Sequence, residues 1–388
     1  MRRDDRGDGA PWSDLAALLE PTREGASVER RLLWRCARVT LSDAALAEVR
    51  QLGAWLDADG WGRVVALAER EGVDNLLFTH ICAAGLATTL PAAVALRLRE
   101  RYCAITLLAR RLERRLEALM SLLAAEGTPA IPLKGASLAR RAYGGAISLR
   151  PVTDIDLLVR REDEQRWSAT FRAAGFAPVA GRGDAMSAHA LRFHETQFRD
   201  SRGLLLEAHT SLCRLPPYRG AFPLAEMWAR ARRTTIQGVP ACTLAPDDEL
   251  RYLSLHYAAL HQASRLIWLV DVAELLRAQG ATWSWERFVR ETVLRGVAAP
   301  VAITLARAAT LLEAPVPRWV VERLNAAALT RAERQAWADA HAPMDDWRRF
   351  LAQTLALDTA AGRLRLLRSG GASLSRRVRA RLTELAES

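Results

Sequence analysis

The most informative stretch of this sequence is Thr153-Asp154-Ile155-Asp156-Leu157-Leu158-Val159. Its apolar and β-branched residues predict a strand, in which residues two apart point to the same face. Asp154 and Asp156 therefore project together, while Ile155 turns into the core. Two carboxylates side by side repel each other unless a cation lies between them. The segment thus predicts a site for one or two Mg²⁺ ions, which take oxygen ligands and bridge to phosphate groups.

A third carboxylate lies further along the chain, on the apolar segment Leu204-Leu205-Leu206-Glu207-Ala208-His209. An acid buried in such a strand is costly without a partner. The turn-rich quartet Asp200–Gly203 predicts a hairpin with the segment before it. A turn centred on this quartet places Thr196 opposite Glu207 and His194 opposite His209, so that these four residues share one face. A slip of one residue would send the set to the other side.

A lysine and a glycine lie upstream of these acids. Residues 129–133 predict a short apolar strand that ends in Lys134-Gly135, before a predicted helix over residues 136–143 whose first N–H groups could meet a phosphate. Lys134 is the only lysine among the 55 basic residues. A compact ammonium differs from a planar guanidinium in what it can bind, so the lone lysine is a candidate phosphate contact.

Arg150 is the other cation close in sequence to the two aspartates. Lys134 or Arg150 could neutralise the charge of a bound phosphate group. Arg150 could equally be a structural partner of Asp154 or Asp156. Both interpretations stay open at this point.

The sequence on either side of this region is helical in character. It predicts a disordered tail, a helical N-terminal region, a mixed α/β core and a helical C-terminal domain, which cover residues 1–11, 12–126, 127–245 and 246–388. One long helix is expected from Asp247 through Leu276. On that helix the 15-residue spacing brings His256 and Asp271 to within about 60° of each other, so the two are expected to brace it.

Composition narrows the class of protein. The start of the chain lacks the apolar stretch of a secretory signal, and no run approaches the ~18 apolar residues of a membrane helix. Without such a run, no membrane partner is expected. The five cysteines are scattered without a zinc-binding spacing, which favours a cytoplasmic protein. The net charge of +11 keeps nucleic acid among the possible partners. Solvated helix faces are favoured instead, because the arginines alternate with acids and RNA-stacking motifs are missing.

The order of these motifs resembles the uncharacterised nucleotidyltransferase family of the DNA polymerase β superfamily. The likeness is carried by Leu133-Lys134-Gly135, Tyr143, Arg150, Asp154–Val159 and Glu207-Ala208-His209, and it extends over about residues 60–280. The resemblance implies an α+β fold, in which a small mixed sheet forms the nucleotidyltransferase core and is flanked by N-terminal and C-terminal helical regions.

The resemblance also implies a site. Asp154, Asp156 and Glu207 would be the catalytic and metal-binding triad, with two Mg²⁺ ions expected and ATP as the expected NTP donor. An in-line attack on the α-phosphate would transfer NMP to an acceptor and release pyrophosphate. The residues expected to bind the nucleotide are Lys134, Gly135, Ser137, Arg150 and His209.

One departure from the superfamily pattern concerns the glycine motif. Superfamily members usually carry a Gly-Ser or Gly-Gly phosphate loop at a shorter distance before the first aspartate. Gly135 lies 19 residues before Asp154 and is followed by Ser137, whereas the competing pair Gly144-Gly145 lies at the more usual distance. The acceptor could be a peptide, a protein, a small molecule or RNA. Two other functions remain open: a catalytically inactive nucleotide-binding or scaffold protein of the same fold, and RNA-directed nucleotidyl transfer.

Overall fold

A computed structural model describes residues 23–179, 195–213, 215–236, 238–261, 263–280 and 283–327. These residues form two compact units, each assembled from separate chain segments. The helical unit contains the described residues up to 116, residues 133–153, and the described residues from 244 onward. The sheet unit contains residues 117–132 and the described part of 154–243. The domain boundaries expected near residues 126 and 245 stay a prediction, and the expected tail over residues 1–11 lies outside the described residues.

Thirteen α-helices lie within the described ranges. They are α1 Val28–Cys36, α2 Asp43–Ala54, α3 Ala58–Glu71, α4 Asp74–Ala83, α5 Ala92–Ala125, α6 Gly135–Ala142, α7 Glu164–Ala173, α8 Leu224–Arg230, α9 Pro246–Leu255, α10 Leu266–Gln279, α11 Trp285–Leu294, α12 Ala298–Leu312 and α13 Arg318–Asn325. Short 3₁₀ helices cover Ile147–Leu149, Arg161–Asp163 and Pro216–Ala221. None of the helices in these ranges combines the length and the apolar character that crossing a membrane requires.

Capping side chains set the start of the first three helices. Ser27, Ser42 and Asp57 each accept a hydrogen bond from the backbone N–H three residues further on. Such a bond satisfies one of the N–H groups that the first turn of a helix leaves unpaired. Helix α3 ends at Gly72, whose φ of 71° is the left-handed conformation that glycine adopts most easily.

The expected single helix from Asp247 through Leu276 is wrong, because the chain breaks it in the middle. Helix α9 runs into a π-helical turn over His256–Leu260, and α10 begins only at Leu266. The break is held by local contacts: Ala263, at a φ of 53°, donates its N–H to the Tyr257 carbonyl at 2.8 Å. The rings of His261 and Trp268 also lie 4.1 Å apart.

A buried ion pair links α10 to the chain after α6 within the helical unit. The Arg150 guanidinium donates through Nε and Nη2 to the two carboxylate oxygens of Asp271, each at 2.7 Å. The Tyr143 hydroxyl donates to Asp271 Oδ1 at 2.7 Å. Burial and the Asp271 carboxylate raise the pKa of Tyr143 well above its usual value, so the hydroxyl stays protonated and keeps donating. The expected pairing of Asp271 with His256 is therefore wrong: Asp271 binds Arg150 and Tyr143.

The sheet unit contains a five-stranded mixed sheet. Its strands are β1 Ala130–Pro132, β2 Asp154–Val159, β3 Phe176–Pro178, β4 Glu195–Asp200 and β5 Leu205–His209, in the spatial order β1-β2-β5-β4-β3. Strands β2 and β5 are parallel, and the other neighbours are antiparallel. A second sheet is the hairpin of β6 Arg232–Ile236 and β7 Val239–Thr243. This mixed sheet with flanking helices confirms the expected α+β fold class.

The expected hairpin register is wrong by one residue. Gln197, not Thr196, lies opposite Glu207, and Thr196 lies opposite Ala208. Glu195 lies opposite His209, and His194, its expected partner, lies outside the described residues. The cause is the side chain of Asp200, whose Oδ1 accepts from the N–H groups of Arg202 and Leu204 at 2.9 and 2.8 Å. Asp200 also donates its own N–H to the Leu204 carbonyl, which closes a three-residue loop instead of a centred four-residue turn.

We expect replacement of Asp271 by Asn to lower the free energy of unfolding by about 3 kcal/mol, because Asn keeps an acceptor for Tyr143 but leaves the buried Arg150 charge without this counter-charge. Urea unfolding followed by circular dichroism measures the loss.

Glu322→Gln is the matched control, since the ion pair of Glu322 with Arg318 lies on an exposed face of α13. We expect that variant to unfold like the original protein. Equal stability of the two variants would show that the buried pair contributes nothing special.

Candidate metal centre

Two neighbouring parallel strands carry the acidic residues to one face of the sheet. The register of β2 and β5 places Asp156 beside Glu207, and Asp154 beside Leu205. Residues two apart along a strand share a face, so Asp154, Asp156, Glu207 and His209 all project from the same side. The strand prediction for the segment around Asp154 and Asp156 is thereby confirmed.

Three of these side chains converge. Ligand atoms of Asp156, Glu207 and His209 all lie within 4.8 Å of one another. His209 Nε2 is 3.0 Å from Asp156 Oδ1 and 3.6 Å from Glu207 Oε2. The Asp156 side chain is 1 % exposed, and those of Glu207 and His209 are each 14 % exposed. Two carboxylates this close and this buried favour a cation between them.

A glutamine on the next strand orients Glu207. Gln197 on β4 donates its Nε2 amide to Glu207 Oε1 at 2.8 Å. Because this oxygen is engaged, the other oxygen, Oε2, is the one that faces His209. The expected register would instead turn Gln197 to the opposite face of the hairpin, away from Glu207. The signal that could have identified it is the Asp200…Gly203 pattern, since an aspartate that accepts from the N–H two residues on is typical of a tight loop.

Asp154 lies at the edge of this arrangement. It is the first residue of β2 and is half-buried, on the same face as Asp156. It is not a member of the three-residue cluster found among the described residues, which contains His209 in its place. The convergent set therefore differs from the expected triad by one residue.

The other expected site residues belong to the helical unit. Lys134 is the residue before α6 and has a φ of 27°, and Gly135 follows at a φ of 50°. A positive φ is disfavoured for a residue other than glycine, so the backbone at Lys134 is strained. Ser137 is buried, and its hydroxyl has no hydrogen-bond partner within the described part of the chain. Arg150 is the buried partner of Asp271.

The competing glycine pair lies at the opposite end of the same helix. Gly144 and Gly145, with φ values of 61° and 81°, follow the C-terminus of α6. The C-terminal end of a helix carries partial negative charge and exposes carbonyl groups, whereas the N-terminal end offers N–H groups to an anion. Gly135 therefore lies at the end of α6 that suits a phosphate, and Gly144-Gly145 does not.

The donor set of the cluster is suited to a divalent cation. Asp156 and Glu207 supply carboxylate oxygens, and His209 supplies an imidazole nitrogen. Such a centre can polarise a phosphoryl oxygen or lower the pKa of an attacking hydroxyl when an ion is bound.

One family model covers the part of the chain that carries this cluster. The model of the uncharacterised nucleotidyltransferase family matches residues 57–313, more than half of the 388-residue chain. A comparison with curated proteins found no match. The matched range contains the whole of β1 to β5, and with them Asp154, Asp156, Glu207 and His209. The chain therefore belongs to the uncharacterised nucleotidyltransferase family.

Proposed function

We propose that this protein is a metal-dependent nucleotidyltransferase that moves NMP from an NTP to an acceptor with release of pyrophosphate. The observation that carries the proposal is the pairing of Asp156 with Glu207 on adjacent parallel strands, within a chain of a nucleotidyltransferase family. Paired carboxylates that hold divalent ions over a triphosphate are the central requirement of this chemistry.

The proposed metal ligands are Asp154, Asp156 and Glu207, with Mg²⁺ as the ion and two ions expected. Bound ions would neutralise the charge that develops on the phosphoryl oxygens. One carboxylate, Glu207 or an aspartate, accepts the proton of the acceptor hydroxyl. The acceptor oxygen then forms a bond to the α-phosphorus, the bond from that phosphorus to the bridging oxygen breaks, and pyrophosphate leaves.

The proposed phosphate contacts are Lys134, Gly135 and Ser137. Support comes from their position at the N-terminal end of α6 and from the buried Ser137 hydroxyl. A contact of Arg150 with the phosphates stays a prediction, because Asp271 already binds two of its nitrogens. A direct nucleotide contact of His209 stays a prediction as well.

ATP is the proposed donor, and the acceptor is a peptide, a protein, a small molecule or RNA. We propose a cytoplasmic setting, because all five cysteines are free thiols, as is usual in a reducing compartment. Incubation of the full chain with labelled ATP, GTP, CTP and UTP, a divalent ion and cell extract, followed by mass spectrometry, identifies both the base and the acceptor. Absence of any nucleotide adduct and of pyrophosphate under all four donors would contradict the proposal.

We expect Asp156→Asn to reduce metal-dependent pyrophosphate release by at least about a thousandfold, because the amide cannot supply the negative charge that holds the ion. The thermal unfolding curve should stay close to that of the original protein. Glu162→Gln, an equivalent change at an exposed residue of the sheet unit, is the control and should keep full activity. Unchanged activity of Asp156→Asn would remove this residue from the mechanism.

We expect Lys134→Arg to lower kcat/KM for the NTP by about tenfold, because a guanidinium is broader and less easily placed than an ammonium. Steady-state kinetics measure this effect. Arg230→Lys, at an exposed residue paired with Glu226, should leave the kinetics unchanged. Full activity of Lys134→Arg would show that the lone lysine has no special role.

We expect Gln197→Leu to weaken divalent-metal binding by about 10–100-fold, because Glu207 then loses the donor that orients it. Calorimetric titration with Mn²⁺ measures the affinity. Thr196→Val is the matched control on the other face of β4 and should bind Mn²⁺ normally. The reverse ranking of these two variants would contradict the observed hairpin register.

A further inference from the structure

The cluster on β2 and β5 contains a nitrogen donor as well as oxygen donors. His209 Nε2 lies 3.0 Å from Asp156 Oδ1 and 3.6 Å from Glu207 Oε2. Two neighbouring ligand atoms of one octahedral ion, each about 2.1 Å from it, lie about 3.0 Å apart. Around a tetrahedral ion with bonds of similar length, the ligand atoms lie about 3.4 Å apart. The 3.0 Å separation is that of neighbouring octahedral ligands, and the 3.6 Å separation lies closest to the tetrahedral value. Together with the 4.8 Å limit that all three ligand atoms share, these separations place the three atoms close enough to reach one ion.

The strands hold His209 in this place. It lies on β5 two residues after Glu207, so both side chains must leave the same face, and its backbone pairs with Leu158 of the parallel neighbour β2. Its side chain is 14 % exposed, as is that of Glu207. Side chains carried by strands are placed more accurately than those on loops, which is what a metal centre requires.

We propose that His209 is a metal ligand, and that Asp156, Glu207 and His209 together form a mixed oxygen and nitrogen centre that prefers a first-row transition ion such as Mn²⁺ to Mg²⁺. Mg²⁺ takes oxygen ligands almost exclusively, whereas imidazole nitrogen suits transition ions. This inference rests on the metal centre of the proposed function and deepens it, because it adds His209 to the proposed ligands and names the ion that the centre binds more tightly.

Pulsed electron paramagnetic resonance of Mn²⁺ bound to the full chain tests the nitrogen ligand directly. We expect ¹⁴N modulation from a coordinated imidazole in the original protein and its loss in His209→Gln. His261→Gln is the matched control, since His261 belongs to the helical unit, and it should keep the signal. Bound Mn²⁺ without ¹⁴N coupling in the original protein overturns the proposal, even if His209→Gln fails to fold.

Metal competition gives a second readout. We expect His209→Gln to weaken Mn²⁺ binding at least about tenfold while Mg²⁺ binding changes little, so that the preference for Mn²⁺ falls. An equal loss of affinity for Mn²⁺ and for Mg²⁺ overturns the proposal, because loss of a nitrogen ligand should weaken binding of the transition ion more. Circular dichroism of each variant confirms that the fold is kept.

These measurements separate this inference from the proposed function. Nitrogen-coordinated Mn²⁺ in a chain that releases no pyrophosphate would support the proposed ligand set and contradict the proposed nucleotidyltransferase activity. Pyrophosphate release in a protein whose bound Mn²⁺ shows no nitrogen coupling would keep the activity and remove His209 from the ligands.

Discussion

Repulsion between a buried and a half-buried carboxylate governs the arrangement of the sheet unit. Asp156 and Glu207 stand side by side because β2 and β5 are parallel neighbours. Strand β4 supports this pair on one face through Gln197 and buries Phe198 on the other, where its ring lies 5.2 Å from that of Phe171 on α7. Alternation along one strand therefore serves the candidate site and the core at the same time. The core packing keeps together two charges that would otherwise move apart.

The helical unit solves a different electrostatic problem. The Arg150 guanidinium is buried and donates to Asp271, which also accepts a hydrogen bond from the Tyr143 hydroxyl. Breaking such a pair from one side is costly, because the remaining charge stays buried. This pair and the three-residue cluster are both buried charges, but they differ in chemistry. The charges of the ion pair cancel within the protein. The cluster contains two carboxylates, and the imidazole of His209 can supply at most one positive charge to balance them.

The sequence predicted those features that depend on local alternation. Strand β2 is predicted from Thr153 and starts at Asp154. It could be predicted because its apolar residues recur with a strand period. The register of β4 and β5 was missed, because it depends on two hydrogen bonds of the Asp200 side chain. The break between α9 and α10 was missed because apolar periodicity continues through it, and the stacking of His261 on Trp268 is a tertiary contact. The pairing of Arg150 with Asp271 joins residues 121 positions apart, a distance at which periodicity carries no information.

That separation has a consequence for how the protein is made. At a synthesis rate of about 5–20 residues per second, Arg150 is added to the chain on the order of ten seconds before Asp271. During this interval the strands β2, β4 and β5 are completed, because all of them precede residue 244. The helical unit, in contrast, contains segments from both sides of that stretch and can close around Arg150 only afterwards. The order of the chain therefore makes the strands β2, β4 and β5 available for pairing before Arg150 can bind Asp271.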